Sequence, residues 1–401
     1  MVNGARACRN GRLVMLSVFT MSRQNGAMLA VLLLTGVPAY AGPLYNQTNL
    51  VSNVAGFATI TDPALVNPWG FSHSATSPFW VSNQGTNTST LYAVTGSTTV
   101  TKTNINPPSG FVAIPTTGSG PQGPTGQVNN TNATSFLVGN GGNGTRASFI
   151  FGNLNGTISA WNAGATAFVQ ATVPGAVYTG LTVNQAQTQL YAANGGTGGI
   201  DVFNSAFATV SLGAGAFAAP PAISSLGLVP FNVQDINGSI YVTYAPAGRA
   251  NQIAATGGMG AVAVFSETGT LQNTFINGEM AAPWGLAIAP SDFGLFSNAL
   301  LVGNFSFAES EINAFDLITG AFLGSIAIDT GSNTPGGLWQ IGFGTGGSNG
   351  DPHTLYFTDG INGETGGLFG AITVPEPLTI SLFSAGVIGL VASRRRKAKS
   401  A

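Results

Sequence analysis

Charge is the scarcest thing in this sequence. Asp, Glu, Lys and Arg supply 6% of its 401 residues, against roughly 25% in ordinary soluble domains. Basic residues are nearly confined to the ends. Arg6, Arg9, Arg12 and Arg23 precede Ala41, and Arg394, Arg395, Arg396, Lys397 and Lys399 follow the last apolar run. Between them stand Lys102, Arg146 and Arg249 against thirteen carboxylates, a net of −10 over residues 42–374. Nucleic-acid binding needs clustered Lys and Arg on phosphates, so that partner is excluded. The single cysteine is Cys8, so from residue 42 onward there is no disulfide framework and no thiolate chemistry. Histidine is nearly absent too: His73 and His353 lie 280 residues apart, in polar loop-like contexts that fit surface or structural placement. There is no H-x-E and no H-E-x-x-H, and no catalytic residue is assigned. The glycine clusters at 139–144 and 195–199 lie between strand-like segments, the wrong context for a phosphate loop. Helical periodicity is essentially missing between 42 and 373.

What fills the chain instead is glycine, 57 of them, with Thr, Ser and Asn, beside 44% hydrophobic residues. That much apolar content can bury a large core, which argues against disorder. Dense turn residues with many β-branched ones indicate an all-β extracellular protein whose surface is solvated by hydroxyls and amides.

Both ends read as addresses. From Met21 the chain runs "MSRQNGAMLAVLLLTGVPAYAGPL": a positive Arg23, an apolar run from Ala27 to Val37 too short to span a bilayer, then Ala39-Tyr40-Ala41 for cleavage before Gly42. We read residues 1–41 as a signal peptide whose true start is Met21. At the other end, Leu378 to Ser393 is uncharged and as a helix would be about 24 Å long, slightly under a bilayer core of about 30 Å. Arg394, Arg395, Arg396 and Lys397 follow and would stay cytoplasmic. The order Pro375-Glu376-Pro377, apolar helix, Arg cluster resembles the PEP-CTERM sorting signal of Gram-negative bacteria. The resemblance covers residues 374–401, with transmembrane helix 378–393. It implies an exosortase as partner, transient residence in the inner membrane, and a cell-surface or extracellular destination after processing; Glu376 also fits a solvated linker carboxylate.

The middle repeats. Turn-then-strand openings stand at Pro68-Trp69-Gly70-Phe71, Pro124-Thr125-Gly126-Gln127, Thr179-Gly180-Leu181-Thr182, Pro230-Phe231-Asn232-Val233, Pro283-Trp284-Gly285-Leu286 and Pro335-Gly336-Gly337-Leu338. Aligned on 70, 126, 180, 232, 285 and 337, they are 56, 54, 52, 53 and 52 residues apart. Second strands follow, such as Leu190 to Asn194 and Leu300 to Asn304, then third strands such as Ile200 to Phe203 and Val262 to Phe265. Weaker fourth strands include Val100 to Ile105 and Phe322 to Ile328. Four short strands per period of about 50 describe a propeller blade. The fold class is therefore all-β: a six-bladed β-propeller over 42–373, flanked by the signal peptide and a C-terminal hydrophobic helix. Blade six shows three evident strands, and Asn46 to Ser52 is placed to supply its outer one and close the ring. Blade two holds both Phe136-Leu137-Val138 and Phe149-Ile150-Phe151, which indicates an insertion or an extra strand.

The rhythm "GLTV…LYAAN…GGIDVF" is similar to NHL-type propellers. "TDPALVNPWGF", "PTGQV", "GTISAWN" and "APWGLAIAP" resemble an uncharacterised bacterial family of exported propellers, a resemblance that spans about 45–373 and implies fold and location without any catalytic residue. Trp69, Trp284 and Trp339 all fall at blade openings, with Asn67 beside the first. Clustered at one mouth, they would suit stacking on sugar rings, so they are the candidate ligand-binding residues; each would equally suit packing between adjacent blades. Trp80 and Trp161, within later strands, fit the core. The favoured function is a non-enzymatic binding or structural component of the cell surface or extracellular matrix that contacts exopolysaccharide. The alternative is a metal-dependent hydrolase or lactonase with its site in the central channel. Related lactonase-type propellers hold a divalent ion there, but the opening Asn67-Pro68-Trp69-Gly70 lacks their first acidic ligand; Asp235 and Asp292 lie near inner strands and fit turn positions as well. No cofactor is assigned, and a Ca²⁺ or other divalent ion is the one that the acidic composition leaves open.

Overall fold

The computed structural model describes residues 44–117 and 122–375. The signal peptide, Glu376, Pro377, the helix 378–393 and Arg394, Arg395 and Arg396 lie outside the described residues, whereas Pro375 is the last described one. Among the described residues no helix is long and apolar enough to cross a membrane.

Six sheets follow one another around the molecule, each running from an inner to an outer strand and antiparallel throughout except where Ile60–Thr61 adds in parallel to Asn46–Ser52 at the edge of the closing sheet. The inner strands are Pro68–Ser72, Gln127–Asn129, Tyr178–Val183, Leu228–Ile236, Pro283–Ile288 and Leu338–Phe343. This is a six-bladed β-propeller. The expected closure is present: Asn46–Ser52 pairs antiparallel with Leu368–Thr373 from Asn46↔Thr373 to Ser52↔Leu368, so the last blade takes a strand from the start of the domain. That pairing removes two open sheet edges at once.

Local chemistry explains the strand joints. In blade four, Asn237-Gly238 forms the two-residue loop of a long hairpin, with φ of 55° and 82°, the positive values that a type I′ turn demands and Asn-Gly tolerates. Five of the six inner strands also share a device at their starts. Pairing with the second strand slips between Pro68 and Phe71, Tyr178 and Gly180, Pro230 and Asn232, Pro283 and Leu286, and Leu338 and Ile341. Such bulges re-aim one residue out of the ladder. Inside the slips of blades one and five stands a glycine, Gly70 or Gly285, because the next blade presses on it. A Cβ on Gly70 would lie 2.8 Å from the Thr125 carbonyl oxygen, and one on Gly285 would run into the carbonyl of Trp339.

The slips also correct the register of the repeat. Leu338 pairs with Asp359 as Pro283 pairs with Asn304. Blade six therefore aligns on Trp339-Gln340 instead of Gly336-Gly337, and Gln340 stands where blades one and five have Gly70 and Gly285. Blade two holds the insertion without a further strand. Residues 130–148 form a loop tied by Asn130, whose Nδ2 donates to the carbonyls of Ser135 and Ala147 at 3.1 Å each. Phe136 is buried within it and packs on Phe207, their ring centroids 5.2 Å apart. The extra strand belongs to blade one, where Phe111–Ala113 pairs with Thr88–Thr95.

Candidate functional site

The register places six residues at one level around the axis: Trp69, Thr125, Thr179, Phe231, Trp284 and Trp339. They form a layer across the channel. Trp69 stacks on Trp339 at 3.5 Å, and Trp284 meets both edge-on at 6.2 and 5.6 Å. Edge-to-face and offset contacts of this kind are favoured by the ring quadrupoles. Phe305 joins at 4.4 Å from Trp339. Polar atoms fix the layer: Trp284 Nε1 donates to the Thr179 carbonyl at 2.9 Å, and Trp339 Nε1 to Asn67 Oδ1 at 3.0 Å. Asn67 Nδ2 in turn donates to Gln84 Oε1 at 2.9 Å.

The candidate tryptophans thus come together, on one another at the axis instead of between neighbouring blades. They are 3%, 1% and 0% exposed for Trp69, Trp284 and Trp339, which leaves almost no indole face for a ligand to stack on. Asn67 and Trp69 line a cavity at the mouth where inner strands start, Trp284 lines one at the mouth where they end, and Trp339 lies between. Trp80 is buried and stacks on Phe149 at 4.0 Å, with Trp161 4.8 Å away.

The strand-end mouth is a funnel of amides. Two adjoining cavities of about 300 and 550 Å³ share His73, Gln185, Gln234, Asp235 and Gln340, and the smaller also reaches Gln127 and Asn184. These residues come from five blades. Gln340 Nε2 donates to the Ile341 carbonyl at 2.9 Å and reaches Gln234 Oε1 at 3.5 Å. Gln185 Nε2 donates to Asp235 Oδ1. Burial raises the Asp235 pKa, against the Gln185 and Gly238 hydrogen bonds. His73 turns Nδ1 to the Ser74 carbonyl oxygen at 3.1 Å, and burial lowers its pKa, which keeps the ring neutral. The other histidine, His353, is exposed and pairs with Asp292 at 2.7 Å.

At the strand-start mouth a cavity of about 470 Å³ is lined by Trp69, Asn67, Gln84, Leu154, Val177, Arg249, Gln252 and Glu364, among others. The short helix Arg249–Ile253 in blade four carries Arg249 over the aromatic layer. Its guanidinium lies 4.0 Å from the Phe305 centroid, 4.9 Å from Trp339 and 5.5 Å from Trp69. Glu364 of blade six pairs with it through both carboxylate oxygens. Burial draws the arginine pKa down and Glu364 opposes the fall. Beside this pair, Asp359 is wholly buried, and burial followed by the charge of Glu364 pushes its pKa up to about 7. Among the described residues no group of three or more His, Cys, Asp or Glu side chains could hold a metal ion.

The sequence reading missed the glutamines and the Arg249–Glu364 pair. Arg249 did carry a signal, as one of three cations in a nearly chargeless domain. The glutamines carried none, because their meeting depends on blade register.

The class is thus a six-bladed propeller with an aromatic layer across its axis and a cavity at each mouth. No family model matches the chain. Two uncharacterised proteins of Acanthamoeba polyphaga mimivirus are similar to it. One is 29% identical over 310 residues, covering 73% of this chain and 72% of its own length. The other is 26% identical over 311 residues, covering 73% and 77%. Among solved structures, virginiamycin B lyase from Staphylococcus aureus superposes with a TM-score of 0.48 at 12% identity, over 82% of this chain and 100% of that one. Likenesses at these levels transfer no residue role and no activity.

Proposed function

We propose that this chain is an exported, non-catalytic binding propeller whose strand-end mouth holds a neutral, hydroxyl-rich polymer, with extracellular polysaccharide the first candidate. One observation carries the reading: Gln185, Gln234 and Gln340, from three blades, converge in a shared cavity with His73 of a fourth. An amide offers two donors and an acceptor, the complement of a sugar hydroxyl, without the charge that would demand an ionic ligand. Glutamine Nε2 of position 234 and Oε1 of position 340 make no side-chain hydrogen bond to the described residues beyond those given above, so both amides retain capacity for a ligand.

The proposed address rests on the sequence: a signal peptide over 1–41, the propeller over 42–373, and a PEP-CTERM signal over 374–401 with Pro375, Glu376, Pro377, Arg394, Arg395 and Arg396 read by an exosortase. The protein then passes through the inner membrane and ends at the cell surface or in the matrix. The competing reading, a metal-assisted hydrolase or lactonase in the channel, requires converging donors, and no observation favours it.

The test is a glycan array followed by titration calorimetry on the purified protein. Binding to a neutral polysaccharide that weakens about tenfold in Gln234→Ala or Gln340→Ala, the loss of one or two hydrogen bonds, supports the reading. A stoichiometric divalent ion together with chelator-sensitive lactone turnover would sink it.

A further inference from the structure

The strand-start mouth differs from the amide funnel in charge and apolar lining, with Arg249 and Glu364 beside Trp69, Leu154 and Val177. We propose that its cavity is a second binding site, for a small neutral ligand of the size and chemistry of a mono- or disaccharide. The inference is independent of what the strand-end mouth holds.

Two buried amides point to a ligand. Gln84 and Gln252 are each 8% exposed, and both line the cavity. Gln84 accepts from Asn67 through Oε1, which leaves its Nε2 donors unused among the described residues. The Gln252 side chain has no hydrogen-bond partner among the described residues, although its backbone N–H donates to Gly248. Buried amides are normally satisfied, and a group left unpaired costs about 1–3 kcal/mol. Neither amide is sealed in: both border open cavity, where a ligand's hydroxyls can meet them.

Charge selects against ions of either sign. Arg249 already has its carboxylate in Glu364, with buried Asp359 behind it. An anionic ligand would meet Glu364, and a cationic one the Arg249 guanidinium. A neutral ligand meets a matched pair. Leu154, Val177 and Trp69 supply apolar wall for the C–H face of a ring. The volume of about 470 Å³ falls within the usual range for small-molecule sites, about 300–1,000 Å³.

Titration calorimetry of the whole protein with glucose, N-acetylglucosamine and cellobiose, and with glucuronate and glucosamine as charged counterparts, tests the site. At least one neutral probe binds, and the charged counterparts bind about tenfold more weakly or worse. Gln252→Ala weakens the neutral probe by about tenfold, while Ile318→Ala, at an exposed position that lines neither mouth, leaves it unchanged. If Gln252→Ala melts early, Gln252→Glu keeps the side-chain length, adds a carboxylate, and gives the same loss. The proposal is overturned if no neutral probe binds at about 10 mM, if glucuronate or glucosamine binds more tightly than its neutral counterpart, or if the folded Gln252 variants bind like the parent.

Discussion

Replacing Asp359 by Asn removes one proton site and keeps the shape of the side chain. The position closes the second strand of blade six, where other blades carry Asn83, Asn153, Asn194 and Asn304, all 0–1% exposed. Asn83 Nδ2 donates to the hydroxyls of Thr88 and Thr90 at 3.2 and 3.0 Å. The strand register puts Leu368 and Gly370 opposite Asp359 and Phe357, so blade six has no hydroxyl at either place. Both Asp359 oxygens lack a hydrogen-bond partner among the described residues. Burial and Glu364 raise the carboxyl from its ordinary 3.8 to about 7, so the folded state holds a proton that the unfolded chain has released. Stability from this group is whole below pH about 4 and is lost as pH rises toward 7, at about 1.4 kcal/mol per pH unit. The total is about 4 kcal/mol. Above pH about 7 both states are ionised and the loss is complete. Asp359→Asn carries no such proton. Urea unfolding of both proteins from pH 4 to 8 should therefore show the variant gaining on the parent through that window, then a constant gap. His73, Asp235 and Glu311 are also shifted, but they are common to both proteins and cancel in the difference. Parallel pH profiles would refute the reasoning.

Three other perturbations follow from the same geometry. Trp339→Ala should cost about 3–5 kcal/mol, the range for large buried aromatics, because it removes the ring that Trp69 stacks on and orphans Asn67 Oδ1; the denaturation midpoint reports it. Gly285→Ala forces a methyl group into the Trp339 carbonyl and should cost about 1–3 kcal/mol by overpacking, whereas the same change at Gly96, with open space around its Cβ position but a φ of 59°, tests backbone strain without a clash. Leu50→Ala, on the closing strand and fully buried, should cost about 2–5 kcal/mol. Its hydrogen-exchange protection should fall first at Leu368–Thr373, the strand it covers.

The fold was legible because its signals are local and repeated. Asn237-Gly238 announces a hairpin in two letters, and openings such as Pro283-Trp284-Gly285 recur at a blade's length. Closure could be read from a count of strands, three in blade six and an unpaired one at Asn46–Ser52. The register of blade six was less legible, since Gly336-Gly337 imitates an opening three residues before the true one at Trp339-Gln340. Bulges shift pairing by amounts that a glycine pattern does not record. The site was the least legible part. Gln84, Gln252, Gln234 and Gln340 are ordinary polar residues in their own strands and loops, and they acquire meaning only when different blades bring the first two to one mouth and the last two to the other. Arg249 and Glu364 meet across 115 residues of sequence, a distance over which no motif is written.

The aromatic layer makes one further demand on both proposed sites. Trp69, Trp284, Trp339 and Phe231 are at most 3% exposed and packed ring on ring, so the layer separates the two mouths. Gln252 and Gln234 belong to cavities that share no lining residue. Substitutions that share no partner add within about 0.3–0.5 kcal/mol, and two ligands couple only through an element whose arrangement both of them bias. A layer of interlocked rings is packed too tightly to offer a second arrangement at low cost. Saturating one mouth should therefore leave the dissociation constant at the other within about twofold. Calorimetric titration of one ligand with and without the other measures this directly. A shift of about tenfold or more would mean that the tryptophan layer moves, and that the channel is one device instead of two.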